Sequence, residues 1–193
     1  MAEAKTRDAT IVDVKSQGRS IPKATVSVLL LTALGTGMGF VSPSIADTLQ
    51  RTPGALSAGQ WWRLITPIFI NPEGWRQIAF NFLGIAVVGA IVERILGSRR
   101  WLILYFVGGL VGELAGFAWQ PTGAGSSVAG CGLLGALALW LLRIPLLQAR
   151  IGGAVILGGA VVLIGMQNLH GPPLLVGACL AAVMLRDKKD DSQ

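Results

Sequence analysis

Four polar side chains interrupt apolar stretches where they could do chemistry. Gln77 and Asn81 sit one helical turn apart in QIAFN, Ser127 follows Ser126 in GAGSSVAGCGLLGA (Gly123 to Ala136), and His170 opens HGPPLLVG. A serine hydroxyl is a weak nucleophile until a base within hydrogen-bond reach takes its proton, and imidazole has a suitable pKa. His170 is the single histidine of the chain, so it is the one candidate. A serine in the first turn of a helix has unpaired backbone N–H groups and the positive end of the dipole beside it, which would stabilise a tetrahedral oxyanion. The amides of Asn81 and Gln77 could add donors. Taken singly, each residue has an ordinary reading: either serine as a helix N-cap or small residue, His170 as an interfacial loop residue, Asn81 as a link between helices. Joint placement alone would make them a site, so the elements that carry them decide the matter.

Those elements belong in a bilayer. The 193 residues are 52% hydrophobic and 13% charged, with mean hydropathy +0.62, outside the range of ordinary soluble domains. A span needs ~20 apolar residues, and windows near that length run from Ala24 to about Ala46, Trp75 to Leu96, Trp101 to Trp119, Ser126 to Leu142, Ile151 to Met166 and Pro172 to Leu185. The fold class is therefore an all-α polytopic membrane protein of six transmembrane helices. A polar tail over residues 1–22 precedes the membrane domain of residues 23–186, and a second tail covers 187–193. The first tail reads as cytosolic and disordered, and the first helix as retained rather than as a cleaved signal. Lys15, Arg19 and Lys23, then Arg94, Arg99 and Arg100, then Arg143 and Arg150, then Arg186, Lys188 and Lys189 all fall on one side of this arrangement. Positive charge in short loops marks the cytoplasmic face, so both termini are expected in the cytosol. The net charge of +6 then needs no nucleic acid to explain it.

In this topology the second, fourth and sixth spans run inward in parallel, so Asn81, Ser127 and His170 meet at similar depth below the outer face. The long connection after the first span carries WWRLITPIFI (Trp61 to Ile70), too short to cross and too apolar for water, which is expected to lie in the outer interface or re-enter it. Gly108, Gly112 and Gly116, with Gly130, Gly132 and Gly135, suit close helix packing. Glu113 lies inside the third span, where an ionisable group usually faces the bundle interior or a water-filled cavity. Cys131 and Cys179 lie within spans as packing residues, and neither a metal site nor a cofactor is indicated.

The same residues carry a resemblance. WWR (Trp61 to Arg63), QIAFN in place of HxxxN, VERILGSRR (Val92 to Arg100), GSSVAGCGLLGA in place of GxSG with its following GLLGA, and HGPPLLVG in place of HxxGxxxG occur in the order found in rhomboid intramembrane serine proteases. The similarity covers about Trp61 to Leu185. It implies a Ser127–His170 dyad, selected over Ser126 by the GLLGA anchor, with Asn81, Gln77 and the Ser127 N–H at the oxyanion. Trp62, Arg63, Glu93, Gly125, Gly132 and Gly177 become structural motif residues, and transmembrane segments of other proteins become the substrates, in a bacterial plasma membrane. There are departures: Gln77 replaces the first histidine of HxxxN, Asn71 falls near an earlier one, Val128 replaces the glycine after the nucleophile, Cys131 the aromatic that stacks on the histidine, and Pro173 a small residue. Val128 and Pro173 are expected to hinder the approach of the fourth and sixth helices. These departures also motivate an alternative, a rhomboid-like pseudoprotease that binds transmembrane helices without cutting them; the presence of both Ser127 and His170 argues for the enzyme. A small transporter fits less well, because the polar residues gather at one face. The short sixth span, roughly 21 Å by helix rise, implies local thinning of the bilayer.

Overall fold

The computed structural model describes residues 21–190. The expected N-terminal tail lies outside it, apart from its last two residues, as do the final three residues of the C-terminal tail. Helix α1 spans Lys23–Val41 and stops short of the Ala46 expected from hydropathy. Ser42 is extended, with ψ 105°, because the ring of Pro43 excludes the preceding residue from the helical region. The chain restarts at once as α2, Pro43–Leu49, with proline at the first position, where no N–H is needed.

The WWRLITPIFI segment closes on the end of α2. Helices leave their last carbonyls unpaired, and here each receives a side chain: Arg63 Nη1 donates to the carbonyls of Asp47 and Gln50, Trp62 Nε1 to that of Thr48 at 3.2 Å, and Thr66 Oγ1 to that of Leu49 at 2.7 Å. The segment forms two 3₁₀ turns, Trp61–Leu64 and Thr66–Phe69. Trp61 and Trp62 remain exposed at its edge while Ile68 and Ile70 are buried in the core, so the segment inserts into the bundle and leaves both tryptophans at the surface.

Next come α3 (Trp75–Gly84), a π turn (Ile85–Gly89) and α4 (Ala90–Leu96), which together make one continuous span. Gly97, at φ +82°, turns the chain into α5, Ser98–Trp119. Helices α6 (Ser127–Arg143), α7 (Leu147–Gly165) and α8 (Gly171–Asp190) complete the bundle, the last running past Arg186. Among the described residues four helices are long and apolar enough to cross a membrane, Lys23–Val41, Trp75–Leu96, Ser98–Trp119 and Leu147–Gly165, and Ser127–Arg143 and Gly171–Arg186 are shorter apolar helices. Their outward side chains, such as Leu83, Val87, Val155 and Val161, are exposed and apolar. Such a surface suits hydrocarbon, and the protein is an integral multi-pass membrane protein.

Helix α6 lies at the centre and packs against α5, α7 and α8. Helices without a hydrophobic driving force between them must gain contact by approaching closely, and glycine permits it. A Cβ on Gly108 would fall 2.8 Å from the Gly132 Cα, and one on Gly135 would overlap the Leu174 carbonyl of α8. At the opposite end Glu93 binds the start of α1: its carboxylate accepts from the backbone N–H groups of Ala24 and Thr25, both at 2.8 Å, and from the Thr25 and Ser98 hydroxyls. An anion is favourable at an N-terminus with unpaired donors. This links α4, α1 and α5 through one carboxylate.

Candidate active site

A cavity of about 610 Å³ opens between the N-terminal ends of α3, α6 and α8, and Gln77, Asn81, Ser127 and His170 all line it. The parallel arrangement of these three helices has thus brought together residues nearly a hundred positions apart. Ser127 Oγ lies 2.9 Å from His170 Nε2, a hydrogen-bond distance. Both residues are half-buried. His170 stands in the turn between α7 and α8, outside either helix, where burial and, secondarily, the charge of Arg51 hold its pKa below the ordinary imidazole value. It is therefore neutral near pH 7 and able to accept a proton.

The neighbouring serine behaves differently. Ser126 occupies the N-cap position of α6, as expected, yet it makes no capping bond. Its backbone is already near-helical, at φ −67° and ψ −5°, and its fully buried hydroxyl lies 3.3 Å from Asn71 Oδ1.

The expected hindrance from Val128 and Pro173 is overturned by the contact between Ser127 and His170. Val128 points at α5, where a Cβ on Gly112 would fall 2.6 Å from the valine Cβ. The missing side chain at 112 is the space that Val128 fills. Pro173 is buried in the first turn of α8, where an absent N–H removes no intrahelical bond and the ring meets no preceding turn. Helices α6 and α8 meet instead through Gly132 and Gly177, since a Cβ on Gly177 would overlap the Gly132 carbonyl.

The amides are present but engaged. Asn81 Nδ2 donates to Asn71 Oδ1 at 2.6 Å, and Gln77 Nε2 donates to the Ala124 carbonyl at 2.9 Å, while Gln77 Oε1 accepts from the Glu73 N–H. Gln77 therefore braces the segment before Ser127. A Cβ on Gly125, at φ +155°, would lie 3.0 Å from Gln77 Nε2 and 3.5 Å from Ser127 Oγ, so glycine leaves the backbone close to both. Asn71 is the less expected partner: fully buried, it also accepts from the Ser126 N–H and donates to Thr36 Oγ1 of α1. Its position was visible in the sequence only as a departure from an earlier histidine.

Arg51 had no signal. It follows α2, pairs with Glu113 of α5, and donates from Nε to the Gln120 carbonyl at 3.0 Å. Its backbone exchanges two hydrogen bonds with Gly123. A Cβ at Gly116 would fall 2.6 Å from its guanidinium carbon, so this glycine makes room for a cation. Both charges are buried and line the cavity. Removing one partner of such a pair leaves an uncompensated charge, so Arg51→Ala should destabilise the protein by ~3–5 kcal/mol. Glu113→Ala/Arg51→Ala should cost less than the arginine change alone. Thermal unfolding of the three proteins in detergent checks the order.

A family model described as Rhomboid domain matches residues 58–185. The chain is 45% identical over 83 residues to rhomboid protease GluP of Bacillus subtilis, a stretch that covers 42% of this chain and 16% of the relative. Identity is 33% over 75 residues to the putative rhomboid protease YdcA of the same organism, covering 39% and 37%. With rhomboid-type serine protease 2 of Emericella nidulans it is 36% over 104 residues, covering 54% of this chain and 20% of that one. The matched stretches thus span well under two thirds of each of these relatives. The matched family segment runs from the loop that carries Trp62 and Arg63 to the end of the apolar part of α8, and the chain belongs to the rhomboid family.

Proposed function

We propose that the protein is an intramembrane serine endopeptidase that cleaves transmembrane segments of other proteins near the outer face of the membrane. The observation that carries this reading is the 2.9 Å contact between Ser127 Oγ and His170 Nε2 at a cavity. Ser127 Oγ attacks the carbonyl carbon of the scissile peptide as its proton passes to His170 Nε2. The tetrahedral oxyanion is held by the Ser127 N–H at the start of α6 and by the amides of Asn81 and Gln77, each of which has a second N–H proton to offer. Collapse breaks the C–N bond, and the imidazolium gives its proton to the leaving amine. Water admitted through the cavity then attacks the acyl-serine with His170 as base again, releasing the carboxylate and restoring the hydroxyl. No cofactor enters. The distribution of Lys and Arg supports an orientation with both termini cytosolic, and the resemblance to rhomboid proteases suggests a bacterial plasma membrane.

The test is cleavage of single-span reporter proteins co-reconstituted with the full chain in liposomes, with the products mapped by mass spectrometry. Cleavage inside the span near its outer end, lost in Ser127→Ala, is the expected result. Stable association with the reporters without cleavage, under conditions where an active rhomboid cuts them, would transfer the assignment to a helix-binding protein.

A further inference from the structure

The turn that carries His170 holds a polar side chain with no part in the mechanism so far. Helix α7 ends in a paired set of backbone bonds: the Asn168 N–H donates to the Leu163 carbonyl and the Gln167 N–H to the Ile164 carbonyl, both at 2.9 Å. Gln167 takes a positive φ of +53°. This is the six-to-one and five-to-two pattern of a Schellman ending, usually built on glycine. A non-glycine residue in this conformation stays there only where its surroundings define the backbone closely. The turn is therefore stiff, and Asn168 is the residue that leaves it. Its carbonyl then accepts from the Gly171 N–H at 3.1 Å, which ties the same residue to the start of α8.

The Asn168 side chain reaches back over His170. Its Oδ1 lies 3.0 Å from the His170 backbone N and 2.8 Å from His170 Nδ1. A backbone N–H can only donate, so the atom it meets must be the amide oxygen. That oxygen can only accept, so Nδ1 must carry the imidazole proton. In the neutral ring the other nitrogen then bears the lone pair. Nε2 is the atom 2.9 Å from Ser127 Oγ.

We propose that Asn168 is a positioning residue that fixes His170 in the Nδ1–H tautomer with its basic nitrogen toward Ser127, so that the site works as a Ser127–His170–Asn168 relay. This rests on the proteolytic reading for its purpose and on geometry for its content. Without the acceptor the ring is free to rotate and to exchange tautomers, and only part of its population presents a base to the serine. Asparagine stabilises the orientation without adding a charge, so the imidazolium formed during attack is held by a dipole alone. The residue contacts the base and not the substrate.

Because the sequence has one histidine, imidazole ¹⁵N resonances report the site directly. The experiment uses the full chain labelled with ¹⁵N-histidine, without affinity-tag histidines, in detergent at neutral pH. Wild type, Asn168→Ala and Asn168→Asp are compared by ring ¹⁵N shifts and by the rate of fluorophosphonate labelling. The expected result is a predominant Nδ1–H tautomer in wild type, a mixed population in Asn168→Ala with labelling slowed on the order of 10–10²-fold, and return of the Nδ1–H form in Asn168→Asp with at least part of the rate. An Nε2–H tautomer in wild type would overturn the proposal, as would Asn168→Ala with both tautomer and rate unchanged. If wild type shows the Nδ1–H form but no labelling beside an active control, the proteolytic reading falls while the assigned tautomer stands. Should Asn168→Ala fail to fold, the wild-type spectrum still decides the tautomer and Asn168→Asp still tests the acceptor.

Discussion

Replacing Ser127 with alanine is expected to abolish covalent labelling by a fluorophosphonate, and His170→Ala to do the same, whereas Ser126→Ala keeps it. The two serines are adjacent, yet their surroundings differ. Ser126 is fully buried with its hydroxyl turned to Asn71, while Ser127 is half-buried, lines the cavity and meets His170. Labelling requires the serine oxygen to attack phosphorus while a base removes its proton and fluoride departs, and only Ser127 has a base within reach. Ser126→Ala removes one of several donors to Asn71 Oδ1, because Asn81 Nδ2 and the Ser126 N–H still serve it. Its cost should be no more than about 1 kcal/mol of stability. Gel fluorescence on membranes, with thermal unfolding of each variant, reads both quantities. Labelling that survives Ser127→Ala would remove the proposed nucleophile.

The second large effect lies away from the reacting atoms. Gly177→Ala should slow labelling by ~10² or more, although the added methyl touches neither Ser127 nor His170. Its Cβ would lie 2.9 Å from the Gly132 Cα and closer still to the carbonyl beyond. Backbone cannot swing aside as a side chain can, so α8 must move from α6. Ser127 opens α6 and His170 immediately precedes α8, and a hydrogen bond between them does not survive a shift of an ångström. Gly159→Ala is the control, because α7 has open space there, and it should label at the wild-type rate. Equal rates for the two variants would show that this packing does not set the geometry of the dyad.

Much of this arrangement was legible from hydropathy, because bilayer thickness constrains a polytopic chain more tightly than a soluble one. The six spans and the convergence of Asn81, Ser127 and His170 followed from counting direction changes. The end of α1 was misread because hydropathy is blind to the backbone restriction imposed by Pro43. Val128 was read as an obstacle because the sequence shows a larger residue but not the direction it points, toward Gly112. Arg51 and Asn168 stayed hidden for another reason. Each acts from an irregular segment whose conformation is set by contacts distant in sequence, and no periodicity marks such a residue.

The π turn at Ile85–Gly89 has a consequence for how this protein tolerates change in length. A wide turn accommodates one residue more than an uninterrupted α-helix would over the same rise, and so absorbs that residue without changing the angular phase between α3, which bears Gln77 and Asn81, and α4, which is anchored by Glu93. Deleting a single residue there would restore regular winding and leave that phase unchanged, whereas a deletion in a regular part of the span between Asn81 and Glu93 that the turn did not absorb would rotate what precedes it by about 100°. In the second case Asn81 would leave the cavity and face another surface of the bundle. Within this span a change of length therefore acts as a switch of azimuth, and the wide turn is the point at which one residue can be lost without it.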